Sequence, residues 1–163
     1  MTRRGLAAGA AAGVLLLAGC GQSRPAEPTA HASASGVAVT ATLLPGEGGR
    51  LRVTFAPEEP GFHLYSVDLP AQGIDGLGIP TVLAVRGGLA ATGRPTADRA
   101  TLLLRPAGLT TELPVYPDGP VTFTVPVRRT GSHQGEVVVS YGACSASRCL
   151  LPVSNEVLRL DLD

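Results

Sequence analysis

The chain has 163 residues, room for one domain with accessories but not for a second full core, since typical domains run to about 100–150 residues. A hydrophobic content of 44% suits a globular core, while 21 Gly, 14 Pro and a single Met indicate many turns and few long helices, so an all-β fold is expected. The 13 basic residues are all Arg and are matched by 13 acidic ones without a run of like charge, which excludes a nucleic-acid-binding face.

At the N-terminus, Met1–Arg4 supplies two positive charges. Gly5–Ala18 (GLAAGAAAGVLLLA) then forms an apolar run too short to span a bilayer comfortably but right for a signal-peptide core. The run ends in Leu17-Ala18-Gly19-Cys20, which resembles the lipobox of bacterial lipoproteins. That resemblance implies removal of residues 1–19 and acylation of Cys20. The product would be a cell-membrane lipoprotein on the periplasmic or outer face, leaving an even pair, Cys144 and Cys149, in an oxidising compartment. The mature chain would carry eleven Arg against 13 acidic residues, formally −2, so the acyl chains must do the anchoring. Gly21–Gly36 (GQSRPAEPTAHASASG) is small, polar and Pro-containing, with no apolar periodicity, so 20–36 reads as a lipidated Cys and flexible tether with His31 solvated inside it. About fifteen such residues reach roughly 20 Å.

The domain is assigned to 37–163 as an immunoglobulin-like antiparallel β-sandwich. Short β-rich runs are predicted at Val37–Leu44, Leu51–Ala56, Phe62–Leu69, Thr81–Val85, Thr101–Arg105, Val121–Val127, Glu136–Tyr141 and Val157–Leu160, separated by Gly/Pro punctuation. Alternation in Val37-Ala38-Val39-Thr40 and in Val121-Thr122-Phe123-Thr124-Val125 sends one face of each run to a core. Pro126 suggests that its strand lies at an edge or ends there, and the unbroken Val137-Val138-Val139 suggests a strand covered on both faces.

Between the last two runs lies SYGACSASRCLLP, with Cys144 and Cys149 flanking Ser145-Ala146-Ser147-Arg148 as the tip of a hairpin or compact loop. Opposed residues of an antiparallel pair lie about 4.5–5.5 Å apart at Cα, so a disulfide can form there without moving the scaffold. As a staple it is modest: closing a ring of about six residues contributes roughly 2 kcal/mol, against nearly 5 for a ring of about a hundred. A short ring also keeps both thiols together after reduction, as a dithiol switch requires. Arg148 could stabilise a thiolate, and the surrounding small residues leave room for a partner's backbone. A metal site would need His63 and His133 as further ligands, and His133 lies in an exposed turn, so no metal or other cofactor is expected. Residue chemistry alone leaves redox exchange and a structural disulfide both open.

The sequence resembles the N-terminal, immunoglobulin-like periplasmic domain of the bacterial thiol:disulfide interchange protein DsbD family, here as a stand-alone lipoprotein. Tyr141, Cys144, Cys149 and Pro152 fall at that family's strand-ending Tyr, two Cys and following Pro. Phe62-His63-Leu64-Tyr65-Ser66 and Gly78-Ile79-Pro80-Thr81 match its aromatic strand and its Gly-Ile-Pro-Thr turn. Three departures stand out: a slightly shorter loop between the cysteines, Gly142 in place of a common Gln, and Leu151 in place of the first of two prolines. The resemblance implies an electron relay. A membrane-embedded thiol reductase (DsbD/CcdA-like) would supply electrons from a separate protein, because no fused membrane domain is expected. Thioredoxin-fold proteins would receive them, in cytochrome c biogenesis or disulfide correction. By position, Cys149 would attack the partner disulfide and Cys144 would resolve the mixed disulfide. A capping loop is implied too, with 110–119 as its candidate and Tyr116 as the covering side chain. Tyr141 is expected to line the site, with Tyr65, Arg148 and Pro152 around it. The alternative is a non-catalytic immunoglobulin-like binding lipoprotein whose disulfide only fastens a hairpin.

Overall fold

A computed structural model of the chain describes residues 26–46 and 48–163. Residues 1–19, read as a signal peptide, and Cys20 lie outside the described residues. Alternating apolar side chains do build strands where expected: β2 (Val37–Leu44), β3 (Arg50–Pro57) and β10 (Val121–Arg129) bury every second residue. Together with β1 (Thr29–Ala34), β6 (Leu89–Ala91) and β7 (Thr96–Ala97) they form one antiparallel sheet in the order β1-β2-β3-β10-β6, with β7 also pairing β10. A second antiparallel sheet has the order β13-β11-β5, from β5 (Val82–Gly87), β11 (Gln134–Tyr141) and β13 (Val153–Asp161). Val39, Phe55 and Phe123 of the first sheet and Val137, Val139 and Leu158 of the second share one buried cluster, so the chain is an immunoglobulin-like antiparallel β-sandwich.

Three expectations are corrected. The tether assignment of 20–36 fails over Thr29–Ala34, which pairs residue for residue with β2 from Thr29↔Thr42 to Ala34↔Val37. The strand is held by backbone pairing, by a two-residue turn and by a face of small side chains, with Ala30 in the core and Ala32 and Ala34 packed against it. Ser35 and Gly36 both have positive φ (49° and 70°), the geometry that matches the twist of a tight hairpin. His31 lies in this strand, its Nδ1 3.1 Å from the Thr40 hydroxyl. Secondly, Pro126 neither ends β10 nor places it at an edge. Its carbonyl accepts from Thr92 N–H at 2.8 Å, so its missing N–H faces the same side, between the short partners β7 and β6, where a ladder bond is not needed. Thirdly, β11 is covered on one face: Val137 and Val139 are buried while Val138 is only partly so.

Two short ladders complete the fold. β4 (His63–Leu64) pairs with β12 (Ala143–Cys144), and β8 (Leu102–Leu104) pairs with β9 (Leu113–Val115). The predicted Phe62–Leu69 strand is thus confined to two residues, with turns following. β4 divides two cores by strand parity. Phe62 and Leu64 join the main cluster, as does Ala143 opposite Leu64, while Tyr65 and Cys144 join a second cluster with Leu69, Leu113 and Val115.

Candidate functional site

β11 delivers the chain to the cysteines through a β-bulge. Val139 pairs with Glu156 but Tyr141 with Val153, which leaves one extra residue in β13. Asn155 takes it up with φ 55°, its N–H donating to Ser140 Oγ at 2.9 Å. Bulges terminate pairing and re-aim the chain, and this one turns it into the cysteine hairpin. Gly142 is required between bulge and hairpin because a Cβ there would come within 2.9 Å of the Ile79 Cβ.

The hairpin has Ala146-Ser147 at its tip. Ser145 N–H donates to the Arg148 carbonyl at 2.7 Å and Leu150 N–H to the Ala143 carbonyl at 2.9 Å, which makes Cys144 and Cys149 a directly opposed pair without ladder bonds of its own. Side chains approach most closely in such pairs. The cysteines are joined as a disulfide with Cα atoms 4.0 Å apart. Ser145 Oγ accepts from the N–H groups of Ser147 and Arg148 at 3.3 and 3.2 Å and stiffens the tip.

The two sulfur-bearing residues have different surroundings. Cys144 is 7% exposed and belongs to the second cluster, whereas Cys149 is exposed. Leu151, two residues further on, is 79% exposed, and Pro152 is exposed just before β13, where a residue without an N–H closes the hairpin segment. The Tyr65 hydroxyl donates to Cys144 Sγ at 3.2 Å. Burial pushes the Tyr65 phenol above its ordinary pKa, so the proton of this hydrogen bond is retained. The Gly-Ile-Pro-Thr turn holds Tyr65 in place: Thr81 Oγ1 donates to the Tyr65 carbonyl at 2.7 Å, and Pro80 bridges its backbone. Gly78, at φ +81°, lies where a Cβ would come within 3.1 Å of the Tyr65 ring.

Two tyrosines singled out from the sequence lie elsewhere. Tyr141 is in the main core, its ring edge-on to Phe55 at 5.3 Å and its hydroxyl donating to the Ala34 carbonyl at 2.9 Å. Burial raises its pKa to about 12. Tyr116 also packs in the main core, edge-on to Phe123 at 5.3 Å, and its hydroxyl accepts from Val67 N–H at 3.4 Å. The candidate cap instead reaches the second cluster through Leu113 and Val115. Arg148 does not lean on the sulfurs. Its guanidinium pairs with Glu59 at 2.5 Å and lies 5.0 Å from the Phe62 ring centroid, tying the hairpin to the turn before β4.

Sequence reading missed Glu59 and Asp118. Asp118 Oδ1 lies 3.1 Å from His63 Nδ1, because Tyr116 N–H and Gly119 N–H donate to the Leu64 and Phe62 carbonyls and lay this segment beside β4. No local pattern announces either partner, since both pairings span distant parts of the chain. His63 itself is 4% exposed.

No family model matches the chain, and no curated protein matches it. Two solved structures do. The N-terminal periplasmic domain of ScsB from Proteus mirabilis aligns with TM-score 0.56 at 16% identity, over 84% of this chain and 52% of that one. The chain therefore spans about half the length of that structure. The Neisseria meningitidis DsbD N-terminal domain in the reduced form aligns with TM-score 0.41 at 12% identity, over 83% of this chain and 90% of that one. The ScsB likeness is one of fold.

Proposed function

We propose that this chain is an extracytoplasmic thiol-disulfide exchange domain, anchored through acylated Cys20, that relays electrons from a membrane-embedded thiol reductase to thioredoxin-fold proteins through Cys144 and Cys149. The observation that carries the reading is the asymmetry of the disulfide: Cys149 is exposed on a stiffened hairpin while Cys144 is 7% exposed behind it. Exchange proceeds by thiolate attack in line with the sulfur–sulfur bond, so access selects the sulfur attacked. A donor thiolate attacks Cys149 Sγ, the disulfide breaks, and the electron pair leaves on Cys144 Sγ, where the Tyr65 hydroxyl is already placed to receive it. The donor's second thiolate then displaces Cys149, leaving the donor oxidised and the domain reduced. Transfer to an acceptor runs these steps backwards, with Cys149 attacking and Cys144 resolving.

The periplasmic origin of the ScsB domain supports the compartment, and the fold supports the scaffold. Two measurements test the chemistry. The reduction potential is expected within the range of exchange proteins, about −270 to −120 mV, whereas a bond that only fastens a hairpin belongs below about −300 mV. Cys144→Ser is expected to accumulate a mixed disulfide at Cys149 with a thioredoxin-fold protein. A low potential together with no trapped partner would leave the binding-lipoprotein reading in its place.

A further inference from the structure

His63 is the residue placed directly opposite Cys144 in the β4–β12 ladder. Residues so opposed have Cβ atoms roughly 4.5–5.5 Å apart and share a face. Tyr65, two positions along, leaves the same face and touches the Cys144 sulfur, and its ring lies edge-on to His63 at 6.1 Å. An ionised carboxylate can only accept a hydrogen bond, so Asp118 Oδ1 at 3.1 Å fixes the proton on Nδ1 and leaves Nε2 as the lone pair of the neutral ring. That Nε2 is buried, and no group among the described residues pairs with it. Buried polar atoms are generally satisfied, so an orphan on the residue opposed to Cys144 marks an acceptor for the proton of the opened pair.

We infer that His63, held by Asp118, is the internal proton acceptor and donor for Cys144, an inference that rests on the exchange reading above. In the mixed-disulfide state Nε2 takes the Cys144 thiol proton. The resulting thiolate attacks Cys149 Sγ, the Cys144–Cys149 bond forms, the bond from Cys149 to the partner breaks, and the electron pair departs on the partner's sulfur. The domain is oxidised, the partner is reduced, and the imidazolium returns its proton to solvent. In the opposite direction Nε2 first takes a proton from solvent and passes it to the departing Cys144 thiolate, which returns the ring to its neutral form. The remaining groups near His63 do not offer the same service. Tyr65 keeps its proton, Arg99 meets Asp118 only through the backbone carbonyl, and Arg148 is occupied by Glu59. His63 is thus the catalytic base, and Asp118 a positioning residue.

The test is stopped-flow oxidation of the fully reduced domain by dithiobis(nitrobenzoate), which releases one thionitrobenzoate when Cys149 attacks and a second when Cys144 resolves. His63→Asn is expected to leave the first release unchanged and to slow the second by about 10- to 100-fold near pH 7, within reach of the ~10²–10⁴ that positioned general bases supply. The deficit is expected to vanish toward about pH 9.5, beyond the ordinary thiol range, where hydroxide makes the thiolate. Asp118→Asn, at an exposed carboxylate, is expected to show the same pH-dependent pattern at a fewfold magnitude and decides the matter if the His63 variant does not fold. A second release that is indifferent to both substitutions, or slowed equally at every pH, overturns the inference. Absence of the first release in the unsubstituted domain would instead remove the exchange reading itself.

Discussion

At Tyr65 one hydroxyl meets a sulfur whose charge depends on redox state. Towards a disulfide sulfur it makes a weak hydrogen bond, whereas towards a departing thiolate the same 3.2 Å contact becomes charge-assisted. The contact therefore favours the reduced form once Cys144 is ionised, and at about pH 9.5 Tyr65→Phe is expected to lower the reduction potential by about 30 mV, which for this two-electron couple corresponds to ~1.4 kcal/mol. Equilibration with glutathione buffers measures it, and an unchanged potential would mean that the hydroxyl only fills space. The sequence made Tyr116 the covering side chain, Tyr141 the lining one and Tyr65 a residue around the site. What separates them is strand parity and register: Tyr65 shares a face with His63 and Cys144, while Tyr141, three residues before Cys144, ends on the main-core side of β11. A one-residue change of register exchanges such faces, and register arises from pairing between distant segments. The cysteine pair and its hairpin were legible because their determinants lie within a dozen residues, whereas Asp118 and Glu59 were not.

Among the strands, those with apolar alternation could be read directly, β2 to the residue. β1 could not, because the face Thr29–Ala34 turns inward is built of alanines alone: Ala30 enters the core, and Ala32 and Ala34 pack against it only partly buried. Its signal was the Ser35-Gly36 dipeptide ahead of a clear strand, which is turn chemistry rather than periodicity. The domain boundary moves accordingly, and with it a prediction. A chain begun at Val37, where the tether reading put the boundary, loses the whole β1–β2 ladder and the Ala34 carbonyl that accepts from Tyr141. It is expected to be destabilised by at least about 2 kcal/mol in urea unfolding, since a buried hydroxyl left without its partner alone costs roughly 1–3 kcal/mol. Beginning the chain at residue 26 is expected to restore full stability. Equal stability of both chains would show that β1 contributes nothing to the fold.

Over the whole molecule, three tyrosines and no tryptophan report separately on the two cores: Tyr65 on the cysteine cluster, Tyr116 and Tyr141 on the sandwich interior. Burial raises all three phenols above their ordinary pKa, Tyr141 to about 12. A folded pKa above the unfolded one means that the native state holds its protons longer. The stability this contributes is complete below about pH 10 and is lost as pH rises toward about 12, where both states become phenolate. Phenolate absorbance of the native domain is therefore expected to lag behind that of the urea-unfolded chain, and to rise together with loss of near-ultraviolet circular dichroism. Tyr141→Phe should remove the highest-pH part of that rise. Reduction adds a discriminating step, because opening the disulfide places a titrating sulfur against Tyr65 and leaves the other two phenols where they were. A thiolate there opposes a second negative charge, so the reduced domain is expected to show one phenol of three shifted further upward and the others unmoved. Three phenols titrating together near pH 10 in a folded domain would contradict the burial of both cores. A reduced-state shift spread over all three would mean that the hairpin cannot open without disturbing the sandwich that presents it.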